Sequence, residues 1–421
     1  MSGGGAPNAV AAPRKVRQVH ALTGVRIIAA LWVVLFHLRG NLAAEFPELT
    51  RVIGPVINHG ELGVDLFFAL SGYVLALNYG SRMGLRLDRR ATVRFWWARI
   101  ARVWPAYMFM LIFVTIWRGV LLARDVSDPV AVRDYGVTSF IRQALLVVQW
   151  TESDSDRLAW NGPAWSVSAE ALAYLLFPVI ILAVFRFNRV FSTRSLVIAG
   201  LLALFPVVFF SYVLGLYAPW MWALRILCAF IAGALAFYVV DRFPDTARSR
   251  GLASHIALVA IVGVIVGCFV LDLTGRTRYI GVLIPILVVT VGALGIADRH
   301  VARLLGTRIM VTGGMASYSV YLVHMPLIEI FWFAQNHWPN ALGQGSVGSK
   351  IGFILLPFVV VAGGYLLWRF VEEPSRRKLR SMSVQNIPER AVDDPPLHHD
   401  SPAGTDVPVA ATPPGADKAA S

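Results

Sequence analysis

Charge is what this sequence lacks most: Asp, Glu, Lys and Arg make up only 15% of its 421 residues, against about 25% in soluble domains. Cysteine is nearly missing as well. Its two cysteines, Cys228 and Cys268, both lie inside apolar runs, so neither a disulfide framework nor a zinc spacing can be built from them. No metal site is expected. Internal repeats and inverted pairs of broken helices are also missing, which weighs against a secondary transporter. In their place the chain is 57% hydrophobic with a mean hydropathy of +0.62, which excludes disordered, collagenous and ordinary cytosolic classes. The net charge of +13 would suggest nucleic acid on a soluble chain. Here its arginines fall between apolar runs, so the expected partner is the lipid bilayer and not nucleic acid.

A membrane-spanning helix needs about 20 mostly apolar residues, because its backbone polar groups must be satisfied within the hydrocarbon. Ten runs qualify: 21–38, 62–79, 103–123, 164–185, 195–217, 219–240, 254–273, 279–297, 311–333 and 350–371. Val137–Trp150 is apolar but short and carries Arg142 and Gln143, which reads as an interfacial or re-entrant helix. Alternate loops are basic. Arg14, Lys15 and Arg17 precede the first run, and seven arginines from Arg82 to Arg102 follow the second. Arginine clusters follow the fourth, sixth and eighth runs, and Arg376, Arg377, Lys378 and Arg380 follow the tenth. The other loops hold Glu45, Glu48 and Glu61, then Asp125, Asp128, Asp134, Glu152, Asp154 and Asp156, although Arg276 and Arg278 run against the trend. The positive-inside rule then predicts an all-α polytopic protein of the cytoplasmic (inner) membrane, with about ten transmembrane helices and both termini cytoplasmic.

Three regions follow. Residues 1–20 are Gly-, Ala- and Pro-rich and basic, expected to be flexible; they do not resemble a signal peptide, because the first apolar run holds Arg26. Residues 21–375 form the membrane domain. Residues 381–421 are acidic and rich in Pro and Ala, expected to be disordered, and their His398–His399–Asp400 is expected to be solvated rather than metal-bound.

Charged groups at membrane depth are costly and mark candidate sites. Arg26 and His37 are 11 residues apart in the first run, so they share one helix face at roughly 16 Å axial separation. A snorkelling arginine and an interfacial histidine fit the same spacing. Asp65 opens the second run near the expected depth of His37, where a helix-start carboxylate is also favoured by the dipole. Arg99 and Arg102 are neighbours on one face at the cytoplasmic mouth of the third run. They suit a bidentate grip on phosphate, and ordinary positive-inside anchoring accounts for them equally. Glu170 lies about two turns into the fourth run, where a carboxylate needs a cationic or hydrogen-bonding partner; the outer-half candidates are His37 and Arg225. Ser317, Tyr318, Tyr321 and His324 follow helical spacing in the ninth run, either as an inward polar stripe or as hydrogen-bonding contacts between helices.

Together these fragments resemble the acyltransferase-3 family of integral membrane acyltransferases, which O-acylate surface glycans and some antibiotics. The resemblance covers about residues 18–378 in order. Its fragments are Arg26-x10-His37, GVDLFFALSGY at 63–73, RIARVWPAY at 99–107, NGPAWSVSAEALAYLLFP at 161–178, RILCAFIAG at 225–233, SYSVYLVHMP at 317–326 and RFVEEP at 369–374. By this resemblance Arg26 and His37 are the essential pair, Arg99 and Arg102 serve acyl-CoA use, and Glu170 is required. Ser71, Tyr73, Trp165 and Ser166 lie in the matching fragments and join Asp65, Arg225, Tyr318, Tyr321 and His324 as candidates for substrate or oxyanion contacts. Many members carry a C-terminal hydrolase domain, where this sequence has its Pro- and Ala-rich stretch.

The implied co-substrate is acetyl-CoA or another acyl-CoA, with no bound cofactor. The implied acceptor is a glycan or a glycosylated small molecule. His37 is expected as general base, Glu170 as its orienting partner and Asp65 as second choice. Arg26, Arg225 or the tyrosine hydroxyls are candidates for the thioester oxyanion, and an acyl-His37 intermediate fits the same residues. A transporter or flippase for a glycan or lipid is the competing class; it needs neither the Arg–His pair nor a phosphate grip.

Overall fold

The computed structural model describes residues 17–124, 135–154 and 160–382. The expected N-terminal extension up to residue 16, Asp125, Asp128, Asp134, Asp156 and the expected tail from residue 383 on lie outside the described residues.

Apolar runs bounded by polar loops leave the backbone no alternative but helix in a bilayer, and among the described residues no strand occurs. The helices are α1 (Arg17–Glu45), α2 (Pro47–Ile57), α3 (Leu62–Met83), α4 (Arg89–Ala123), α5 (Val137–Ala144), α6 (Ala164–Val190), α7 (Thr193–Leu214), α8 (Met221–Asp241), α9 (Ala247–Leu273), α10 (Ile284–Leu294), α11 (Val301–Leu305), α12 (Arg308–His337), α13 (Pro339–Leu342), α14 (Val347–Leu367) and α15 (Glu373–Ser381). A 3-10 turn, Thr277–Leu283, leads into α10, and a π-turn, Trp368–Glu372, joins α14 to α15. Helix starts follow local chemistry: Asp88 accepts from the Arg90 amide, Ser192 from Ser195, Thr246 from Ser249 and Ser346 from Ser349.

Among the described residues nine helical stretches are long and apolar enough to cross a membrane, against the ten expected. The difference is α12. It is 30 residues long, or about 45 Å at 1.5 Å per residue, but its polar stripe lowers its hydropathy. The chain is a polytopic all-α membrane protein. Large apolar side chains such as Ile116, Leu202, Val259 and Phe358 stand on its outer surface, as a lipid-facing surface requires.

The third span is longer than its apolar run suggests, because α4 begins at Arg89 and carries Arg99 and Arg102 on the helix itself. Val137–Trp150 is only half helical. In α5, Ser139 and Gln143 are buried while Val137 and Ile141, with Leu145 just past its end, are exposed. The segment is docked by Trp104 Nε1 on the Ala144 carbonyl (3.0 Å) and by Trp150 Nε1 on the Ser168 carbonyl (2.9 Å).

At the arginine-rich end the Trp97 indole donates to the Leu379 carbonyl at 2.9 Å. At the opposite end Glu45 accepts from Ser349 Oγ at 2.6 Å and from the Gly345 amide at 3.0 Å. Between them α1 packs along α12 and α3 along α8. The second crossing is close because Gly72 lies against the Phe230 carbonyl and Gly233 against the Ala69 carbonyl, where a Cβ would come within 1.9 and 2.2 Å of oxygen. Small residues at such crossings allow the backbone approach that drives helix association in lipid.

Candidate active site: two cavities with a common wall

α1, α3, α4, α6 and α12 surround a cavity of about 80 Å³ that gathers Arg26, Ser71, Arg99, Arg102, Ser166, Glu170, Tyr174, Tyr318 and Tyr321. Three guanidinium groups thus face one carboxylate. Arg99 is 6% exposed. Its Nη2 donates to Tyr79 OH at 3.2 Å, and its guanidinium carbon lies 5.6 Å from the centre of the Tyr79 ring. The arginine pair lines the same cavity as Glu170. Glu170 Oε1 accepts from Ser71 Oγ and Tyr174 OH, both at 2.5 Å. These are its hydrogen-bonding partners, in place of the expected His37 or Arg225. Tyr318 OH donates to the Val103 carbonyl at 3.0 Å.

A second cavity, of about 980 Å³, is lined by His37, Trp165 and Arg225 and reaches Asn58, His59, Glu61 and Asp272. His37 Nδ1 lies 2.9 Å from the Val33 carbonyl. A carbonyl oxygen only accepts, so Nδ1 carries the hydrogen, and in the neutral ring Nε2 keeps its lone pair. His324 is fully buried, and its Nδ1 faces the Tyr321 carbonyl in the same way. The His37 and His324 rings lie 4.9 Å apart between centroids. The imidazole of α12 thus stands beside His37, and Glu61 lines the same cavity. Asp65 is not the second-choice partner either, because Arg225 holds both of its oxygens: Nε donates to Oδ1 at 3.0 Å and Nη2 to Oδ2 at 2.8 Å. Arg225 Nη2 also reaches the Glu61 carbonyl at 3.2 Å, and its guanidinium carbon lies 5.4 Å from the Trp165 ring centre. Through Nε and Nη2 Arg225 forms a buried ion pair with Asp65, and it also lines the cavity of His37.

Val64 and Tyr321 line both cavities. Ser166 Oγ donates to the Pro163 carbonyl at 3.0 Å, and a serine has one hydroxyl hydrogen. The 2.6 Å contact between Ser166 Oγ and Tyr321 OH therefore uses the Tyr321 hydrogen. Phe67 meets the Tyr321 ring edge-on at 6.3 Å. The face shared by Arg26 and His37 is thus divided, Arg26 facing the small cavity and His37 the large one.

Tyr73 stands elsewhere. It is buried against Phe237, with its hydroxyl filling the space beside Gly295. Three features escaped the sequence. Tyr174, the partner of Glu170, sits four residues on, a helical spacing that could have identified it. His59 and Glu61 flank Gly60 in what reads as a loop. The buried pair of Arg118 Nη2 with Glu329 Oε2, at 2.5 Å, joins α4 to α12.

Two known acyltransferases are similar to this chain over most of its length. Acyltransferase MdmB of Streptomyces mycarofaciens is 25% identical over 412 residues, covering 91% of this chain and 98% of that protein. O-acetyltransferase OatA of Staphylococcus aureus is 25% identical over 379 residues, covering 86% of this chain and 58% of its own length. This chain therefore matches little more than half of OatA. No solved structure matches. A family profile described as an acyltransferase domain matches residues 19–369, and the chain belongs to the acyltransferase-3 family as a multi-pass membrane acyltransferase.

Proposed function

We propose that the protein moves an acyl group, acetyl in the first instance, from cytoplasmic acyl-CoA to a hydroxyl of a glycan or glycosylated small molecule, and that it does so in the inner membrane. The observation that carries this reading is the common wall. The arginine-lined cavity and the cavity of His37 meet at Val64 and Tyr321, so a thioester held on one side is one side chain from an acceptor on the other.

Arg99 and Arg102 hold the anionic donor, Arg as a planar fork suiting phosphate oxygens. Tyr321 leaves Ser166 to admit the thioester. His37 Nε2 takes the acceptor proton as the acceptor oxygen bonds to the thioester carbonyl carbon. The carbon–sulfur bond then breaks, and coenzyme A leaves as the thiol with that proton. The products are the acyl ester and free CoA, and no other reactant is needed.

The test is CoA-thiol release by the purified chain in nanodiscs, given acetyl-CoA with and without cell-envelope glycans or glycosylated metabolites. Acceptor-dependent thiol release, with acetyl ester found on the acceptor by mass spectrometry, is expected. Movement of a labelled glycan across the bilayer without thiol release would instead identify a flippase.

A further inference from the structure

The cavity of His37 contains a polar cluster that the acyl-transfer chemistry does not use. His59 is 2% exposed, and among the described residues neither of its ring nitrogens has a hydrogen-bond partner. Nδ1 lies 3.8 Å from Glu61 Oε1 and Nε2 lies 3.9 Å from Asp272 Oδ1, both beyond hydrogen-bond reach. Glu61 Oε2 is likewise buried without a partner. Asn58 Nδ2 donates to Asp272 Oδ1 at 3.1 Å. Buried polar groups are rarely left unsatisfied in a native protein, and these atoms keep unused hydrogen-bonding capacity at the cavity wall.

Its position is fixed beside His37. Gly60 is pressed against α1, where a Cβ would lie 2.3 Å from the Trp32 carbonyl oxygen and 2.5 Å from Phe36 Cβ. The Trp32 indole donates to the Val56 carbonyl at 2.7 Å. The turn bearing His59 and Glu61 is therefore clamped one residue from His37.

We propose that His59, Glu61 and Asp272 form the acceptor subsite and bind adjacent hydroxyl groups of a sugar ring, an inference that rests on the acceptor occupying the His37 cavity. A hydroxyl accepts and donates at once. One can fill the gap on the N–H side of His59, accepting from the ring and donating to the facing carboxylate. A second can donate to Glu61 Oε2. The two carboxylates disfavour an anionic ligand, and Arg39 and Arg278 on the same walls disfavour a cation. Among the described residues no three His, Cys, Asp or Glu side chains are arranged to hold a metal ion. A neutral ring rich in hydroxyls remains, with the Trp165 and Tyr217 rings lining the same cavity.

The test is saturation-transfer NMR on the full chain in nanodiscs, with methyl α-D-glucopyranoside, maltose and N,N′-diacetylchitobiose as probes and choline and inorganic phosphate as comparators. At least one sugar is expected to bind through its ring-diol protons. Glu61→Gln and Asp272→Asn, both near-isosteric, should each weaken that binding about tenfold or more, while the dissociation constant for CoA, read in the other cavity, stays within about twofold. Folding of each variant is checked by its melting temperature. The proposal is overturned if no sugar binds, if sugar binding ignores both substitutions, or if choline or phosphate binds with the same sensitivity and the sugars do not. Sugar binding that depends on Glu61 without any acyl-CoA turnover would leave the subsite standing and remove the acyl-transfer reading.

Discussion

Tyr321 donates its hydroxyl hydrogen to Ser166 across 2.6 Å, and this bond closes the wall between the arginine-lined cavity and the cavity of His37. An acyl-transfer site must keep water from the thioester until the acceptor is bound. Tyr321→Phe keeps the ring and loses one hydrogen bond, so acetyl transfer should change by no more than about tenfold. Tyr321→Ala removes the partition. Acetyl-CoA hydrolysis without acceptor should then rise relative to transfer. Thiol release with and without acceptor, for both variants, measures the ratio; an unchanged ratio in Tyr321→Ala would mean that this side chain does not separate the cavities.

His37→Ala should abolish transfer while leaving a folded, membrane-inserted protein. The Nδ1 hydrogen of His37 is committed to the Val33 carbonyl, so Nε2 is free to take a proton on the side of the large cavity. Loss of a general base costs roughly 10²–10⁴-fold in rate. Initial rates and gel-filtration profiles check both halves of the expectation, and a variant keeping more than about a tenth of wild-type activity would end the role assigned to His37.

Arg99→Ala and Arg102→Ala should raise the KM for acyl-CoA more than they lower kcat, since both guanidinium groups line the small cavity. Lysine at either position should rescue only in part, because it offers a point charge rather than a fork. Steady-state kinetics against acetyl-CoA decides this. An unchanged KM accompanied by altered membrane topology would reduce both residues to anchors.

Most of the helical scaffold was legible because the bilayer leaves few choices: an unbroken apolar run must be a helix. The contents of the site were legible less evenly. His37, Arg26 and Glu170 stood out as charges in apolar surroundings, but their partners depend on which helices touch. Ser71 and Glu170 are 99 residues apart, and Asp65 and Arg225 are 160 apart. No local periodicity encodes either pair. Arg99 and Arg102 fit a phosphate grip and simple anchoring equally, because positive-inside loops use the same residue at the same spacing. His59 and Glu61 read as ordinary loop polarity, since only the clamp of Gly60 against α1 shows that the turn is buried.

The Asp65–Arg225 pair is a stability prediction. Arg225 is 1% exposed and Asp65 0%, so either single substitution strands a charge inside the bundle. Asp65→Leu and Arg225→Met should each destabilise by about 3–5 kcal/mol, whereas the two together should cost clearly less than their sum. Thermal unfolding in detergent, followed by fluorescence, provides the comparison. Fully additive losses would show that the pair is not a coupled unit.

Glu170 should couple to Tyr174 and not to His37. Its Oε1 accepts from Tyr174 OH and Ser71 Oγ, and it lines the small cavity while His37 lines the large one. Glu170→Gln retains shape but lowers the acceptor strength that holds both hydroxyls, and it removes the carboxylate that lines the small cavity with Arg26, Arg99 and Arg102. Turnover should fall while the KM for the anionic donor stays level or drops, since the remaining field in the cavity is more positive. In double-mutant cycles read on kcat/KM, Glu170→Gln with Tyr174→Phe should depart from additivity by about 0.5–3 kcal/mol, because the two groups share a hydrogen bond. Glu170→Gln with His37→Gln should be additive to within about 0.3–0.5 kcal/mol, as expected for groups without a common partner. The reverse pattern, strong coupling to His37 and none to Tyr174, would mean that the carboxylate turns across the Tyr321 wall during catalysis and serves the imidazole directly.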